Sequence, residues 1–208
     1  TSIVWSSYLG GSNDDAIYSL AIDNSDNIYV TGGTNSFDFP TTTNAFLNSY
    51  QDSIRADAFI TKISSDGDQI ISSSYYGTDQ YDQSYFVEIG KNNSVYLLGQ
   101  TKAPGMSLVN NVNYFQSGGG QFIAVFSEDL SLLLRSTVVG TGNGTPDISP
   151  TAFLVDVCNK IYISGWGSNL GGPLSTLNLP ISINPPAYQQ TTDGNDFYLM
   201  VLDDEINN

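Results

Sequence analysis

The chain has 208 residues, with 21 Asp plus Glu against six Lys plus Arg, no His and one Cys, for a formal charge of −15. A chain of this length can bury a real core, and 40% hydrophobic against 13% charged residues excludes a disordered acidic tail. The composition also excludes His-ligated metal centres, Ser-His-Asp or Cys-His catalysis, a disulfide scaffold and binding to a nucleic-acid backbone, which would need more cations.

The acidity is of one kind. Asp outnumbers Glu 18 to 3, and 19 Asn accompany it. Asp and Asn favour turns and Glu favours helix, so with 20 Gly, 13 Tyr and 10 Phe the chain reads as strands joined by turns. No apolar run is long enough for a membrane-spanning helix, so direct membrane insertion is not expected. The first residues, Thr1-Ser2-Ile3-Val4-Trp5, hold neither an initiator Met nor a signal peptide, which suggests a processed protein or an excised part of one.

In chain order, the first strand-like segments are Val4–Leu9, Ile17–Ile22, Ile28–Gly33 and Phe59–Ile63. Asn24-Ser25-Asp26-Asn27 is a short hairpin connection between the second and third of them. The set then recurs. Ser6-Ser7-Tyr8-Leu9-Gly10 matches Ser73-Ser74-Tyr75-Tyr76-Gly77 and, more weakly, Ser136-Thr137-Val138-Val139-Gly140. Ile28-Tyr29-Val30-Thr31-Gly32 matches Val95-Tyr96-Leu97-Leu98-Gly99 and Ile161-Tyr162-Ile163-Ser164-Gly165, with Gly-to-Gly spacings of 22, 22 and 25 residues. A closing marker follows each time: Asp57-Ala58-Phe59-Ile60, Gln121-Phe122-Ile123-Ala124 and Asp196-Phe197-Tyr198-Leu199. Three markers in one order define units of 3–69, 70–132 and 133–208, each expected to be one blade. Tandem four-stranded antiparallel units without a helical period are the sequence form of a β-propeller.

The first unit resembles the SBBP repeat of bacterial seven-bladed β-propellers. Its Tyr8-Leu9-Gly10-Gly11 strand, acidic turn, Asn27-Ile28-Tyr29-Val30-Thr31-Gly32 strand, Phe39-Pro40-Thr41 loop and Asp57-Ala58-Phe59 strand all fit that pattern. The second unit loses the Phe-Pro-Thr loop. The third, with Asp156-Val157-Cys158-Asn159 and Asp196-Phe197-Tyr198, resembles the variant of large surface proteins of gliding bacteria, often exported by the type IX system. The resemblance implies an all-β propeller, an extracellular or cell-surface location and a scaffold or adhesive role. Three units would be an arc of about seven blades, completed by the remaining blades of the same protein or by other protein chains.

The loops after the first and third strands of each unit should emerge on one face. The long ones span 34–56, 100–120 and 166–195. If the first strand is innermost, Asp14, Asp15, Asp79, Asp82 and Asp147 gather at that mouth. They read either as a ligand site, with Ca²⁺ the cation they could take, or as caps of their own turns. No other cofactor is called for. Trp166, flanked by Gly165 and Gly167, could stack on a sugar of a surface glycan or pack on its own blade. Phe46, Phe115 and Tyr188 are expected to pin their loops, Trp5 to pack in the core or between blades, and Cys158 to be an inert small residue.

Glu88 lies within a strand pattern at an expected solvent-facing position. No pair of acids is marked out for glycoside hydrolysis, so a non-catalytic module is expected. The alternatives are a carbohydrate-binding propeller and a segment of a polysaccharide-degrading enzyme. Asn92-Asn93-Ser94 and Asn143-Gly144-Thr145 are sequons, and Asp52-Ser53-Ile54 fits a bacterial O-glycosylation signal at Ser53.

Overall fold

The computed structural model describes residues 1–52, 54–168 and 174–203. Among them are eleven strands and no helix. β1 (Asp15–Ile22), β2 (Ile28–Thr34), β3 (Asp57–Ile63) and β4 (Ile70–Tyr76) form the first sheet in that order. β5 (Asp82–Ile89), β6 (Val95–Thr101), β7 (Gln121–Phe126) and β8 (Leu133–Val139) form the second. β9 (Ser149–Val155), β10 (Lys160–Trp166) and β11 (Phe197–Asp203) form a third with three strands among the described residues. All pairing is antiparallel between sequence neighbours, the meander expected of propeller blades.

The sheets are out of phase with the sequence units by one strand. The Ser-Ser-Tyr-Tyr segment of the second unit is β4, bonded to β3 of the first, with Phe59 opposite Tyr75 and Ile60 opposite Ser74. The Ser-Thr-Val-Val segment is likewise β8, bonded to β7. The hydrogen-bonded blades therefore run 15–76, 82–139 and 149–203, where the units 3–69, 70–132 and 133–208 had suggested otherwise. The cause is the turn at Ser64–Gln69. Ser64 N–H donates to Gln69 O and Gly67 N–H to Ser64 O, with Gly67 at φ 75°, so the chain reverses there and adds its next strand to the sheet it has just left. Val4–Leu9, expected as a strand, pairs with nothing: the described structure before β1 holds no strand. Its Trp5 ring lies over Gly67, so close that a Cβ there would come within 2.6 Å.

Alternating residues divide each sheet into two faces. Ala58 and Ile60 of β3 look toward the second sheet, where they meet Phe122, Ala124 and Phe126 of β7 in a core that also holds Tyr29, Tyr76 and Leu97. The Tyr76 ring lies edge-on to Phe122 and Phe126 at 5.1 and 5.4 Å. The other residues of β7, Ile123 and Val125, look toward the third sheet and meet Phe153, Ile161 and Ile163. A smaller cluster of Val30, Phe39, Phe59 and Tyr75 covers part of the outer face of the first sheet. Its Phe39 comes from the Phe-Pro-Thr loop and packs 4.4 Å from Phe59.

The innermost strands are β1, β5 and β9, which lie against one another in series. These are the second strand of the first sequence unit and its counterparts, not the first, so the premise that placed the acids around a channel shifts by one strand. Tyr18 and Tyr85, the unpaired bulge residues of β1 and β5, stack there at 5.2 Å.

Lys62 occupies a core-facing position at the end of the first two sheets away from the long loops. Its Nζ lies 3.2 Å from Asp23 Oδ2 and 2.9 Å from Glu128 Oε1, and 5.0 Å from the Tyr29 ring centroid. Lys62 and Asp23 are buried, while Glu128 is exposed. Burial alone would raise the Asp23 carboxyl, but hydrogen bonds from Asn27, Ser25 and Lys62 outweigh it and hold it below the ordinary value. Removing the cation leaves Asp23 uncompensated. Lys62→Met should cost ~3 kcal/mol in urea unfolding, and adding Asp23→Asn to it should restore much of that loss.

Candidate functional site

The loops after β2 (35–56), β6 (102–120) and β10 (167–196) do share one end with the short crossings between sheets, as expected. Ser12 N–H donates to Asp38 Oδ1, Lys102 N–H to Tyr81 O and Ser175 N–H to Asp147 O, each joining a crossing to a long loop. The first two of these loops also run along the outer edges of the fourth strands β4 and β8. Thr42 N–H donates to Ser73 O, Tyr75 N–H to Leu47 O, and Gln116 N–H to Val138 O. The loops are thus held to the blades while their tips stay free, with Phe37, Met106 and Ile183 largely exposed.

Three of the five acids singled out at this end share one structural role. Asp15 Oδ2 accepts from Gly11 N–H at 2.7 Å and from Ser36 Oγ at 3.0 Å. Asp82 Oδ2 accepts from Thr78 N–H at 2.6 Å and Thr78 Oγ at 2.8 Å. Asp147 Oδ2 accepts from Thr141 N–H at 2.9 Å. In each case the acid closes the turn that follows the repeated glycine (Gly10, Gly77 or Gly140) and points the chain into the next inner strand. Their geometry is that of turn caps. Asp14 and Asp79 are exposed, and Asp14 lies beside Asp15 in a shallow pocket with Tyr18 and Gln83. Among the described residues no group of three or more Asp, Glu, His or Cys side chains is arranged to hold a metal ion.

The structure does bring one of the marked acids, Asp82, together with two that the sequence did not mark as site residues. Asp57, the first residue of β3, and Asp82, the first of β5, are both fully buried, and Asp52 is nearly so. Gln51 N–H donates to Asp57 Oδ2 at 2.7 Å, while Asp57 Oδ1 and Asp82 Oδ1 are buried without a hydrogen-bond partner. A side chain at Gly77 would begin 3.0 Å from Asp82 Oδ2 and 3.1 Å from Asp57 Oδ1, so it would crowd the place where the two carboxyls converge. Burial, reinforced by the charges of Asp82 and Asp52, pushes the Asp57 carboxyl up to about 7. Burial also raises Asp82 to about 6, against the pull of its hydrogen bonds. Asp52 is paired with Arg55 at 3.5 Å. The pair Asp57–Asp82 thus holds protons near neutrality at the junction of two blades.

Trp166 ends β10 opposite Phe197 of β11. It lies on the outward face of the third sheet, 41% exposed, and not at a loop tip. Phe46 does pin its loop, but to the next blade: its ring lies edge-on to Phe126 at 5.7 Å. Phe115 is partly exposed, and Tyr188 is fully exposed and pins nothing. Its loop is held instead by buried Thr176 and Leu179 and by Tyr198, whose hydroxyl donates to Pro180 O. Cys158 is exposed in the turn between β9 and β10. Glu88 is half-buried in β5, where burial raises its carboxyl. Asn93 of the first sequon occupies a turn at φ 57°. Ser53 lies outside the described residues.

Residues 4–40 match the family model of the SBBP β-propeller repeat. The match begins at Val4, takes in the Tyr-Leu-Gly-Gly segment and runs through β1 and β2 to the Phe-Pro loop, so the repeat is of the propeller type. No curated protein matches the chain.

The buried acids give a pH dependence of defined sign. Both have folded values above the unfolded value of ~3.9, so their contribution to stability is full below that pH and is lost as pH rises through about 6 to about 7. Asp57→Asn keeps the acceptor for Gln51 and removes the charge. It should stabilise the chain by ~1–2 kcal/mol at pH 8 and by much less at pH 5, read as urea midpoints at the two pH values. Equal midpoints for variant and parent at pH 8 would show that Asp57 is not charged against its surroundings.

Proposed function

We propose that this chain is a non-catalytic interaction module, a stretch of propeller blades that serves as scaffold or adhesive surface in a large bacterial secreted or cell-surface protein. The observation that carries this reading is the contrast between rigid blades and the loop end. The first two long loops are bonded along the blade edges, the third is held by Thr176, Leu179 and Tyr198, and all three carry exposed apolar side chains, Phe37, Met106, Ile183 and Tyr188, on their free stretches. Loops on a rigid scaffold are where binding residues concentrate, and large exposed apolar groups there favour contact with another surface. At the same end Asp15, Asp82 and Asp147 are engaged as turn caps and Asp57 is buried with its carboxyl raised by that burial, which suits a recognition surface better than a hydrolytic centre. The charge of −15 would keep such a surface soluble and steer it away from anionic polymers.

The secreted location and the export route follow only from the resemblance of the repeats. Carbohydrate recognition is the weaker reading, because Trp166, its best candidate, sits on a blade face beside Phe197.

Beads coated with the chain should adhere to hydrophobic and cell-envelope surfaces. Replacing Phe37, Met106, Ile183 and Tyr188 by Ser should cut attachment at least tenfold without changing the β circular dichroism. Replacing Asn24 and Asn92, in turns at the opposite end, should leave it intact. Equal attachment by all three proteins would remove the loop end as the adhesive surface.

A further inference from the structure

The third sheet differs from the other two in one edge and one face. β3 receives β4, and β7 receives β8, in the same register and with the same bulge near the end of the ladder: Ala58 opposite Tyr76 and Ile63 opposite Ile70, Gln121 opposite Val139 and Phe126 opposite Leu133. β11 is their counterpart, with Phe197 in the place of Ala58 and Gln121. Among the described residues it pairs only with β10. A groove of about 700 Å³ runs between its Phe197–Tyr198 end and the loop residues Thr176–Leu179 and Gln189–Thr192. In the first two sheets the fourth strand lies in that place, with the long loop bonded to its far side.

The face tells the same story. Ala58, Ile60, Gln121, Ile123 and Val125 are at most 2% exposed, because another sheet covers them. Their counterparts Phe197, Leu199 and Val201 are 79%, 71% and 49% exposed. At the other end of the series Leu20 and Ile22 of β1 are 63% and 57% exposed, whereas Val87, the counterpart of Leu20 in β5, is 2% exposed against the first sheet. One end of the molecule presents the surface that accepts a following blade, and the other presents the surface that a preceding blade would cover.

The chain also carries the strand that fits the open edge. Ile3–Leu9 is the repeat counterpart of Ile70–Tyr76 and of Leu133–Val139, and it is unpaired, with Ile3, Val4 and Tyr8 80%, 93% and 104% exposed. We propose that two copies of this chain associate head to tail, residues 3–9 of each adding to β11 of the other as its fourth strand. The register follows from the two existing ladders: Leu9 opposite Phe197, Tyr8 opposite Tyr198, Ser7 opposite Leu199 and Trp5 opposite Val201. The same step places the outward face of each third sheet on the outer face of the partner's first sheet, covering Phe197, Leu199 and Leu20 together. Two such junctions join six sheets, within the four to eight blades that close a propeller, and a head-to-tail contact that closes is a ring. The proposal rests on the blade geometry and is independent of the adhesive role, so failure of the parent chain to attach, with an intact dimer, would count against that role alone.

The test uses two single-cysteine chains in a Cys158→Ser background, one Ser7→Cys and the other Leu199→Cys, mixed and oxidised. The expected result is a disulfide-linked heterodimer in high yield, with at least tenfold less from Ser6→Cys with Leu199→Cys, whose side chains lie on opposite faces. The unmodified chain should have a native mass of twice 22.4 kDa by light scattering. A chain beginning at Gly10 should be monomeric with unchanged β circular dichroism. Because each copy is strongly acidic, added salt should raise the dimer fraction. A single-chain mass at ~100 µM, equal crosslinking by the two cysteine pairs, or a dimer that survives deletion of residues 1–9 would each overturn the proposal. Open polymers larger than a dimer would overturn the closed ring.

Discussion

Each sheet in this chain carries apolar residues on both faces, so each face calls for a neighbouring sheet. This requirement organises everything else. In β3 and β7 successive residues alternate between the blade before and the blade after: Phe59 and Phe122 look one way, Ile60 and Ile123 the other. A strand buried on both sides is largely apolar, which is why Phe122-Ile123-Ala124-Val125-Phe126 reads as a continuous run. Stability therefore resides in the junctions between sheets, as in other repeat architectures, where each unit is stabilised chiefly by its neighbours.

The junctions also explain the polar groups. The recurring acid after each Gly-containing turn (Asp15, Asp82 and Asp147) takes up the backbone N–H groups where the chain leaves one sheet and enters the next. Asp57 adds a second carboxyl beside Asp82, and the two share a space closed by Gly77. At the opposite end Lys62 replaces the apolar residue that its counterparts Val125 and Val201 supply, and ties a turn of each of the first two sheets to one ammonium. Polar chemistry at both ends of the first junction is thus directed at holding blades together. That fits a scaffold whose specificity is carried by its loops, since the fold by itself names no activity.

Much of this was legible in the residues. The three markers located the strands that became β2, β3, β4, β6, β7, β8, β10 and β11, and the turn chemistry of Asn24–Asn27 placed the hairpin between β1 and β2. The grouping of strands into sheets was not legible from the repeat, because a tandem repeat has the same period wherever its start is set. The information lay in the Asp66-Gly67 turn, which demands that β4 return to β3. Among the site residues, the position of Asp15, Asp82 and Asp147 after a repeated glycine was visible, but Asp57 is buried beside Gly77 and Asp82, which lie twenty or more residues along the chain and in the next unit. Trp166 looked like a loop residue because two glycines flank it, and only its register opposite Phe197 places it on a sheet face. Tyr188 carried no local signal that separates an anchored aromatic from a free one.

The one-strand offset between repeat and sheet has a consequence for how such a chain can change its length over generations. A genetic duplication or deletion that follows the repeat boundary moves three strands together with a fourth that belongs to the sheet before them. Every inserted unit thus arrives already stitched to its predecessor by a hydrogen-bonded ladder. A boundary set at the sheets would deliver self-contained plates joined only by their faces. The offset turns the addition of a blade into an extension of existing pairing, so families built this way can vary in blade number without devising a new joint.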